Sequence, residues 1–450
     1  MTAPNARQEA ARLTSLGITA AMLTFVDVAG ITRVKVVPVP RLPDAAARGV
    51  GMSPVFDTYQ VDDSATPGRF IGGPDGDLRL VPDLSRLRTA APVAGWASAP
   101  VDRFAQDGTP HPACQRAFAR RQAARAADDH GLELRMGFET EWISTLPGDD
   151  DAELAYPCEG PAYGAARIAQ LPGYLTDLLR ALDEQEVTVL QLHPEYSPGQ
   201  FELSTAPEDP VGAADTAVLV REAIRAVGLA HGQRSCFGPV LVPDGVGNGR
   251  HLHLSLWRDG RNLCRGGNGP FGMTEEAEFF LAGVLRELPA LLAIGAPSPA
   301  SYLRLIPSHW AGVYQVWGHE AREAALRFVT GAPDDTDAAN AEVKCLDPAA
   351  NPYLVVGAVI AAGLAGIDDR LKLPEPISGD PAAADGTAGG PVRLPTTLRE
   401  ATDRFTDSEV LKAALGEVLH DVIRTERLAE VELFAGRDPQ EIAAATRWRY

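Results

Sequence analysis

What this chain lacks narrows its function before any motif is read. Cysteine is sparse: Cys114, Cys158, Cys236, Cys264 and Cys345 lie far apart, odd in number and with no CxxC. Neither a disulfide framework nor a zinc knot is expected from that pattern. Positive charge is in deficit, 41 Lys and Arg against 60 Asp and Glu, for a net charge of −19. Binding a phosphate backbone needs basic stripes, so nucleic acid is not an expected partner. No apolar run reaches the roughly 20 residues that span a bilayer, and residues 1–8 carry no apolar signal-peptide core. The expectation is a cytoplasmic protein with no membrane contact. A GxxxxGK[ST] phosphate loop is missing as well, so a nucleotide site here needs another design.

What is present is enough for a large core and two domains: 450 residues, 45% hydrophobic and 22% charged. Residues 18–40 read as a β-hairpin turning at Asp27-Val28-Ala29-Gly30, and 78–81 as a short strand in a loop-rich stretch with a turn cluster at residues 72–77. This part reads as a small β-rich domain. Helices are expected over 112–130 (closed by Gly131), 174–185, 210–231 (opened by Asp209) and 274–293 (opened by Thr274). Residues 351–369 read as a buried helix, 379–391 as a flexible surface loop and 398–433 as mostly helical, with a short helix running to Trp448. Strands and helices mix without a regular βαβ rhythm, so the expected class is α+β.

The chemistry gathers around residues 189–257. Glu195 and Glu202 flank a Pro198-Gly199 turn that folds the chain back and brings the carboxylates together. His251, His253 and Ser255 alternate with Leu252, Leu254 and Leu256, which puts the polar trio on one strand face. Glu139 and Glu141 likewise share a face opposite Phe138, Thr140 and Trp142. Buried Glu is rare unless it is paired or holds metal. Glu139, Glu141, Glu195, Glu202 and Glu342 in one cavity with His251 would suit Mg²⁺ or Mn²⁺, hard cations with oxygen ligands. Taken singly, each Glu also fits a solvated strand face and the His a satisfied core residue, and spacing alone leaves both readings open. Arg304, Arg322 and Arg327 lie in segments otherwise apolar or small. Their planar forks suit carboxylates and phosphates, although salt bridging to surface acids fits them too. Paired metals plus arginines are the working parts of phosphoryl transfer.

These residues, in this order, carry a likeness. Gly137-Phe138-Glu139-Thr140-Glu141-Trp142, the run from Glu195 to Glu202, that from Gly247 to Ser255, Ser301-Tyr302-Leu303-Arg304-Leu305, that from Trp317 to Arg327, and Glu342-Val343-Lys344 together resemble the glutamine synthetase superfamily. Asp27-Val28-Ala29-Gly30, Leu80-Val81-Pro82-Asp83 and the run from Asp347 to Leu354 extend the resemblance over nearly the whole chain. It implies a small N-terminal β-grasp domain over 1–105 and a catalytic half-barrel domain over 106–450. It also implies a ring of subunits, usually a dodecamer, whose sites lie between neighbours. By the resemblance, Glu141, Glu195 and Glu202 would hold one metal, and Glu139, His251 and Glu342 a second. His253 and Ser255 would contact ATP, Arg322 and Arg327 its phosphates, and Gly247 and Arg304 the glutamate. ATP would phosphorylate the γ-carboxylate of glutamate, and a nitrogen nucleophile would then displace phosphate.

The departures set the expected substrate. Trp310 in Ser308-His309-Trp310-Ala311-Gly312 stands where ammonia-using members carry a mobile glutamate. The Asp-Gly-Ser-Ser piece of the ammonium pocket is replaced by Gly51-Met52-Ser53-Pro54-Val55-Phe56-Asp57, Val246 replaces an asparagine, and Lys344 replaces an arginine. An intact metal and phosphate set beside a dismantled ammonium site points to a glutamate–amine ligase making a γ-glutamylamide. Trp310 and Lys344 are then expected at the substrates, with Arg304, Arg322 and Trp310 at the chemistry. His309 and Asp57 are the candidates for the base that deprotonates the amine. The alternatives are a true glutamine synthetase using ammonia and a non-catalytic ring protein.

Overall fold

The computed structural model describes residues 5–73, 75–90, 95–148, 154–332 and 334–450. Pro74 of the turn cluster and residues 149–153 lie outside the described residues. The strands are β1 (Ala20–Val26), β2 (Thr32–Pro38), β3 (Val50–Met52), β4 (Leu78–Pro82), β5 (Arg88–Ala90), β6 (Trp96–Phe104), β7 (Glu133–Thr145) and β8 (Val189–Pro194). They continue with β9 (Gln200–Thr205), β10 (Arg234–Cys236), β11 (Leu252–Arg258), β12 (Arg261–Asn262), β13 (Tyr314–His319), β14 (Ala324–Val329) and β15 (Asn340–Val343).

β1 and β2 form the expected hairpin, with Ala20 opposite Pro38 and Val26 opposite Thr32. The turn closes on Gly30, whose φ of +86° puts it in left-handed space, and a Cβ there would lie 1.8 Å from the Ala349 carbonyl oxygen. Only glycine fits both conditions. Asn351 Nδ2 donates to the Val26 and Asp27 carbonyls at 3.1 and 3.0 Å, docking the turn under the loop that follows β15. β1 pairs in parallel with β6, and the first sheet runs β2-β1-β6-β4-β3, with β5 beside β6. The sequence reading had no strand at β6 and no helix at Ala6–Ser15, both of which the structure contains.

The second sheet curls into a half-barrel in the order β13-β14-β15-β11-β7-β9-β8. Within it, β7, between β11 and β9, buries Phe138, Thr140 and Trp142, so Glu139 and Glu141 face away from the core as the alternation requires. Trp142 lies opposite Phe201 of β9, their rings stacked with centroids 5.8 Å apart. Burying each such ring is worth roughly 1.5–3 kcal/mol, and this locks the register that sets Glu141 opposite Glu202.

Helices back the sheet. Gln115–His130 ends on Gly131 in the left-handed region, Pro210–Ala230 is capped by Asp209, and Glu275–Gly295 by Thr274, all at the expected termini. Pro352–Asp368 is buried almost all round and packs against Glu275–Gly295. Leu398–Asp407 and Glu409–Leu433 follow, and the last helix, Pro439–Thr446, stops short of the expected Trp448. No helix among the described residues is long and apolar enough to cross a membrane.

Candidate active site

The concave face of the half-barrel holds two rows of side chains set by strand register. In the first, Arg327 of β14 lies opposite Glu342 of β15, which lies opposite His253 of β11. In the second, Glu141 of β7 lies opposite Glu202 of β9, which lies opposite His193 of β8. Glu139, two residues before Glu141, sits between the rows. Each acid reaches its neighbours because paired strands bring cross-strand Cβ atoms within about 5.5 Å of each other.

Three groups of donor atoms form, each with its atoms within 4.8 Å of one another: Glu139, His251 and Glu342; Glu141, Glu202 and His251; and His193, Glu195 and Glu202. His251 Nδ1 lies 3.1 Å from Glu139 and 3.2 Å from Glu342. Gly249 makes this closeness possible. A Cβ there would fall 2.5 Å from His251 Nε2, 2.8 Å from Arg304 Nη2 and 2.9 Å from Glu141 Oε1, and its N–H donates to Glu141 Oε2 at 2.9 Å.

The electrostatics are those of a crowded acid cluster. Burial and the charges of Glu141 and Glu202 push Glu195 up to about 7. Burial also raises Glu202. A hydrogen bond to Glu202 lifts His193 to about 9. Burial works to raise Glu139, but hydrogen bonds from His251 and His253 outweigh it and hold the carboxyl below its ordinary range. Burial likewise opposes ionisation of Glu342, and the Lys344 charge and the His251 hydrogen bond overcome it. Clustered carboxylate oxygens with one imidazole per group are the donor set of a hard divalent cation, so these residues fit two Mg²⁺ or Mn²⁺ ions.

The cavity they line has a volume of about 710 Å³. All six expected metal ligands line it, as do Gly247, Arg304, Trp310, Arg322, Arg327 and Lys344. Arg304 is buried, with Nη2 donating to the Lys344 carbonyl at 3.3 Å and Nη1 without a hydrogen-bond partner among the described residues. Lys344 Nζ donates to Glu342 at 3.1 Å, and Arg327 bridges Glu342 at 2.9 Å and Glu320 at 2.8 Å. The Gly247 carbonyl accepts from Gln200 Nε2 at 2.9 Å. Trp310 stands at the mouth, half exposed, with the Arg322 guanidinium 5.9 Å from its ring centroid.

Two expected nucleotide contacts stand outside the cavity lining. His253 Nε2 lies 3.1 Å from Glu139, and its Nδ1 lies 2.8 Å from Asn340. Ser255 is buried and accepts the Trp257 indole N–H at 2.8 Å. Asp57 is not in the cavity at all. It is fully buried against Arg103 Nη1 at 2.7 Å and takes the Gln115 amide at 3.0 Å, so it belongs to a structural ion pair. His309 does line the cavity, exposed on the same loop as Trp310.

The sequence reading passed over three residues here. His193 lies 3.2 Å from Glu202 and 3.5 Å from Glu195. Its period-two spacing before Glu195 is the same signal that picked out Glu139 and Glu141. Tyr163 donates to Glu195 Oε2 at 2.8 Å from a segment with no periodicity to reveal it. Arg167, buried, donates to the carbonyls of Glu195 and Ser197 at 2.7 Å each and fixes the Glu195 turn.

Curled sheet, acid rows and arginines together are the parts that a phosphoryl-transfer ligase needs. The family model described as glutamine synthetase, catalytic domain, matches residues 112–443, and the chain belongs to the glutamine synthetase family. Among curated relatives, gamma-glutamylpolyamine synthetase GlnA3 of Streptomyces coelicolor is 54% identical over 443 residues, covering 97% of this chain and 95% of the relative. A crystal structure of a novel glutamine synthase homolog superposes with a TM-score of 0.86 at 33% identity, covering 96% of this chain and 99% of that one. A GmaS/ADP complex superposes with a TM-score of 0.83 at 26% identity, covering 95% and 96%.

Proposed function

We propose that this chain is an ATP-dependent ligase that joins the γ-carboxylate of glutamate to an organic amine, and that the amine is a polyamine. The observation that carries the reading is the composition of one cavity: acid and imidazole groups fit for two cations on its wall, and an indole, Trp310, at its mouth. The 54% identity to a relative named for polyamine glutamylation supports the choice of amine.

Glu141, Glu195 and Glu202, with His193 beside them, would hold one Mg²⁺ or Mn²⁺, and Glu139, His251 and Glu342 the other. When bound, such ions neutralise phosphate oxygens of ATP, the co-substrate. Arg322 and Arg327 place charge over the phosphoryl group as it transfers to the glutamate γ-carboxylate. Nη1 of buried Arg304, which has no hydrogen-bond partner among the described residues, meets the carboxylate of glutamate, with Gly247 and Lys344 alongside. The amine nitrogen then attacks the γ-glutamyl phosphate, the C–N bond forms and phosphate leaves. An alkylammonium has a pKa near that of Lys, about 10.4, so it must lose a proton first. His309 is the candidate base that lines the cavity. The indole face of Trp310 attracts the ammonium by cation–π interaction, worth about 0.5–2 kcal/mol. His253 and Ser255 are assigned to the nucleotide side.

The same reading includes a cytoplasmic ring of subunits, a dodecamer, with the two domains divided near residue 105. The β2 edge strand, where Val34 and Val36 are exposed, supports self-association. The test is steady-state ADP release with ATP, glutamate and Mg²⁺, comparing ammonium, ethanolamine, short alkylamines and polyamines. The expected result is saturable turnover with polyamines. Saturation by millimolar ammonium with no response to any amine would overturn the reading.

A further inference from the structure

We propose that Glu323 is a positioning residue that sets amine selectivity by holding the Trp310 peptide at the cavity mouth. The proposal rests on the ligase reading for its substrate and on separate geometry for its contact. Three alternate residues of the mouth loop have left-handed backbones: Ser308 at φ +61°, Trp310 at +55° and Gly312 at +66°. A bulky aromatic residue seldom adopts that conformation, and where it does the surroundings must enforce it. The indole itself does not supply that hold, because Trp310 is 48% exposed. The backbone does: Trp310 N–H donates to Glu323 Oε1 at 2.9 Å.

Glu323 is built for this single contact. It is 8% exposed, and its Oε2 is buried with no hydrogen-bond partner among the described residues. Burying a carboxylate with one oxygen unsatisfied is costly, and an apolar residue would be favoured there if packing were its only task. Its neighbour Arg322 lines the cavity with its guanidinium 5.9 Å from the Trp310 ring. One dipeptide therefore places a cation at the cavity and a carboxylate against the loop's backbone. The start of the loop is pinned separately, where Ser308 Oγ donates to Asp380 at 2.7 Å. With the loop held at Ser308 and at the Trp310 N–H, the orientation of the indole depends on the Glu323 contact.

The experiment compares Glu323→Ala, which removes the acceptor, with Glu323→Gln, whose amide oxygen can still take the N–H. In steady-state ADP release, Glu323→Ala should raise the KM for polyamine about tenfold, within the roughly 2- to 30-fold that loss of the indole contact itself would cost. It should leave the KM for ATP and for glutamate within about twofold, and Glu323→Gln should largely restore the amine KM. An unchanged amine KM in Glu323→Ala, or an equal rise for all three substrates, would overturn the proposal. A second readout needs no activity: ¹⁹F spectra of protein carrying 5-fluorotryptophan, with the Trp310 resonance identified by its loss in Trp310→Phe. That resonance should move in Glu323→Ala and return in Glu323→Gln. If wild-type protein answers to no amine, the ligase reading falls while the fluorine spectra still test the contact. A Trp310 resonance unmoved by Glu323→Ala would overturn the contact's role.

Discussion

Glu342 on β15 and Arg327 on β14 face each other across paired strands, joined by an ion pair of 2.9 Å. The same buried carboxylate accepts from Lys344 at 3.1 Å and lies 3.2 Å from His251. One acid thus balances several cations and is held ionised. Glu342→Gln should abolish binding at the Glu139–His251–Glu342 group and lower kcat/KM by on the order of 100-fold or more. It also takes the counter-charge from buried Lys344, at about 3–5 kcal/mol of stability, while Arg327 keeps its ion pair with Glu320 at 2.8 Å. Turnover and chemical denaturation of the same variant check both effects. Near-normal turnover would remove Glu342 from the metal set.

Trp310→Glu puts a carboxylate at the mouth in place of the indole. Losing about 0.5–2 kcal/mol of cation–π attraction corresponds to about a 2- to 30-fold rise in the KM for amine. Ammonium-dependent ADP release should appear or increase. An unchanged amine profile would mean that the ring only packs against the loop.

Asp57 separates structure from chemistry. Burial alone would raise its carboxyl, and the Arg103 charge outweighs that and holds it below its ordinary value. Asp57→Ala leaves Arg103 buried and unpaired, so it should cost about 3–5 kcal/mol in denaturant unfolding. The KM for amine should stay unchanged at temperatures where the variant is folded. A selective loss of amine affinity would return Asp57 to the site.

Glu430 and Glu426 of the helix Glu409–Leu433 are buried, and both are raised: Glu430 by burial and the Glu426 charge, Glu426 by burial first, with Asp27 adding to it. An acid raised in the folded state favours folding below its ordinary value of 4.5 and loses that contribution as pH climbs towards its folded value. Glu430→Gln removes this dependence while keeping an oxygen for the Val61 N–H, which Glu430 Oε1 now accepts at 2.6 Å. The variant's unfolding temperature, relative to wild type, should therefore be higher at pH 8 than at pH 5. An equal difference at both pH values would contradict the raised acid.

Much of this site was legible because strand period fixes faces. Glu139, Glu141 and His251 could be assigned to a cavity wall once Phe138, Trp142 and Leu252 were read as core. The same rule would have reached His193. It could not reach Tyr163, which lies in irregular chain, nor Arg167 and Glu323, whose roles come from contacts to backbone carbonyls and to a backbone N–H that no side-chain pattern records. Asp57 stood as a candidate base for a related reason: a carboxylate in a loop looks available until the fold supplies Arg103. The helix Ala6–Ser15 was missed because it buries only Ala10 and Leu13, too few positions for an apolar stripe.

The central claim is that one cavity activates glutamate and delivers the acyl group to an amine rather than to ammonia. Mass spectrometry of the products formed from ATP, glutamate and Mg²⁺, with ammonium and a polyamine present at equal concentration, tests it directly. The expected main product is a γ-glutamylpolyamine, formed together with ADP and phosphate. Glutamine as the main product would contradict it.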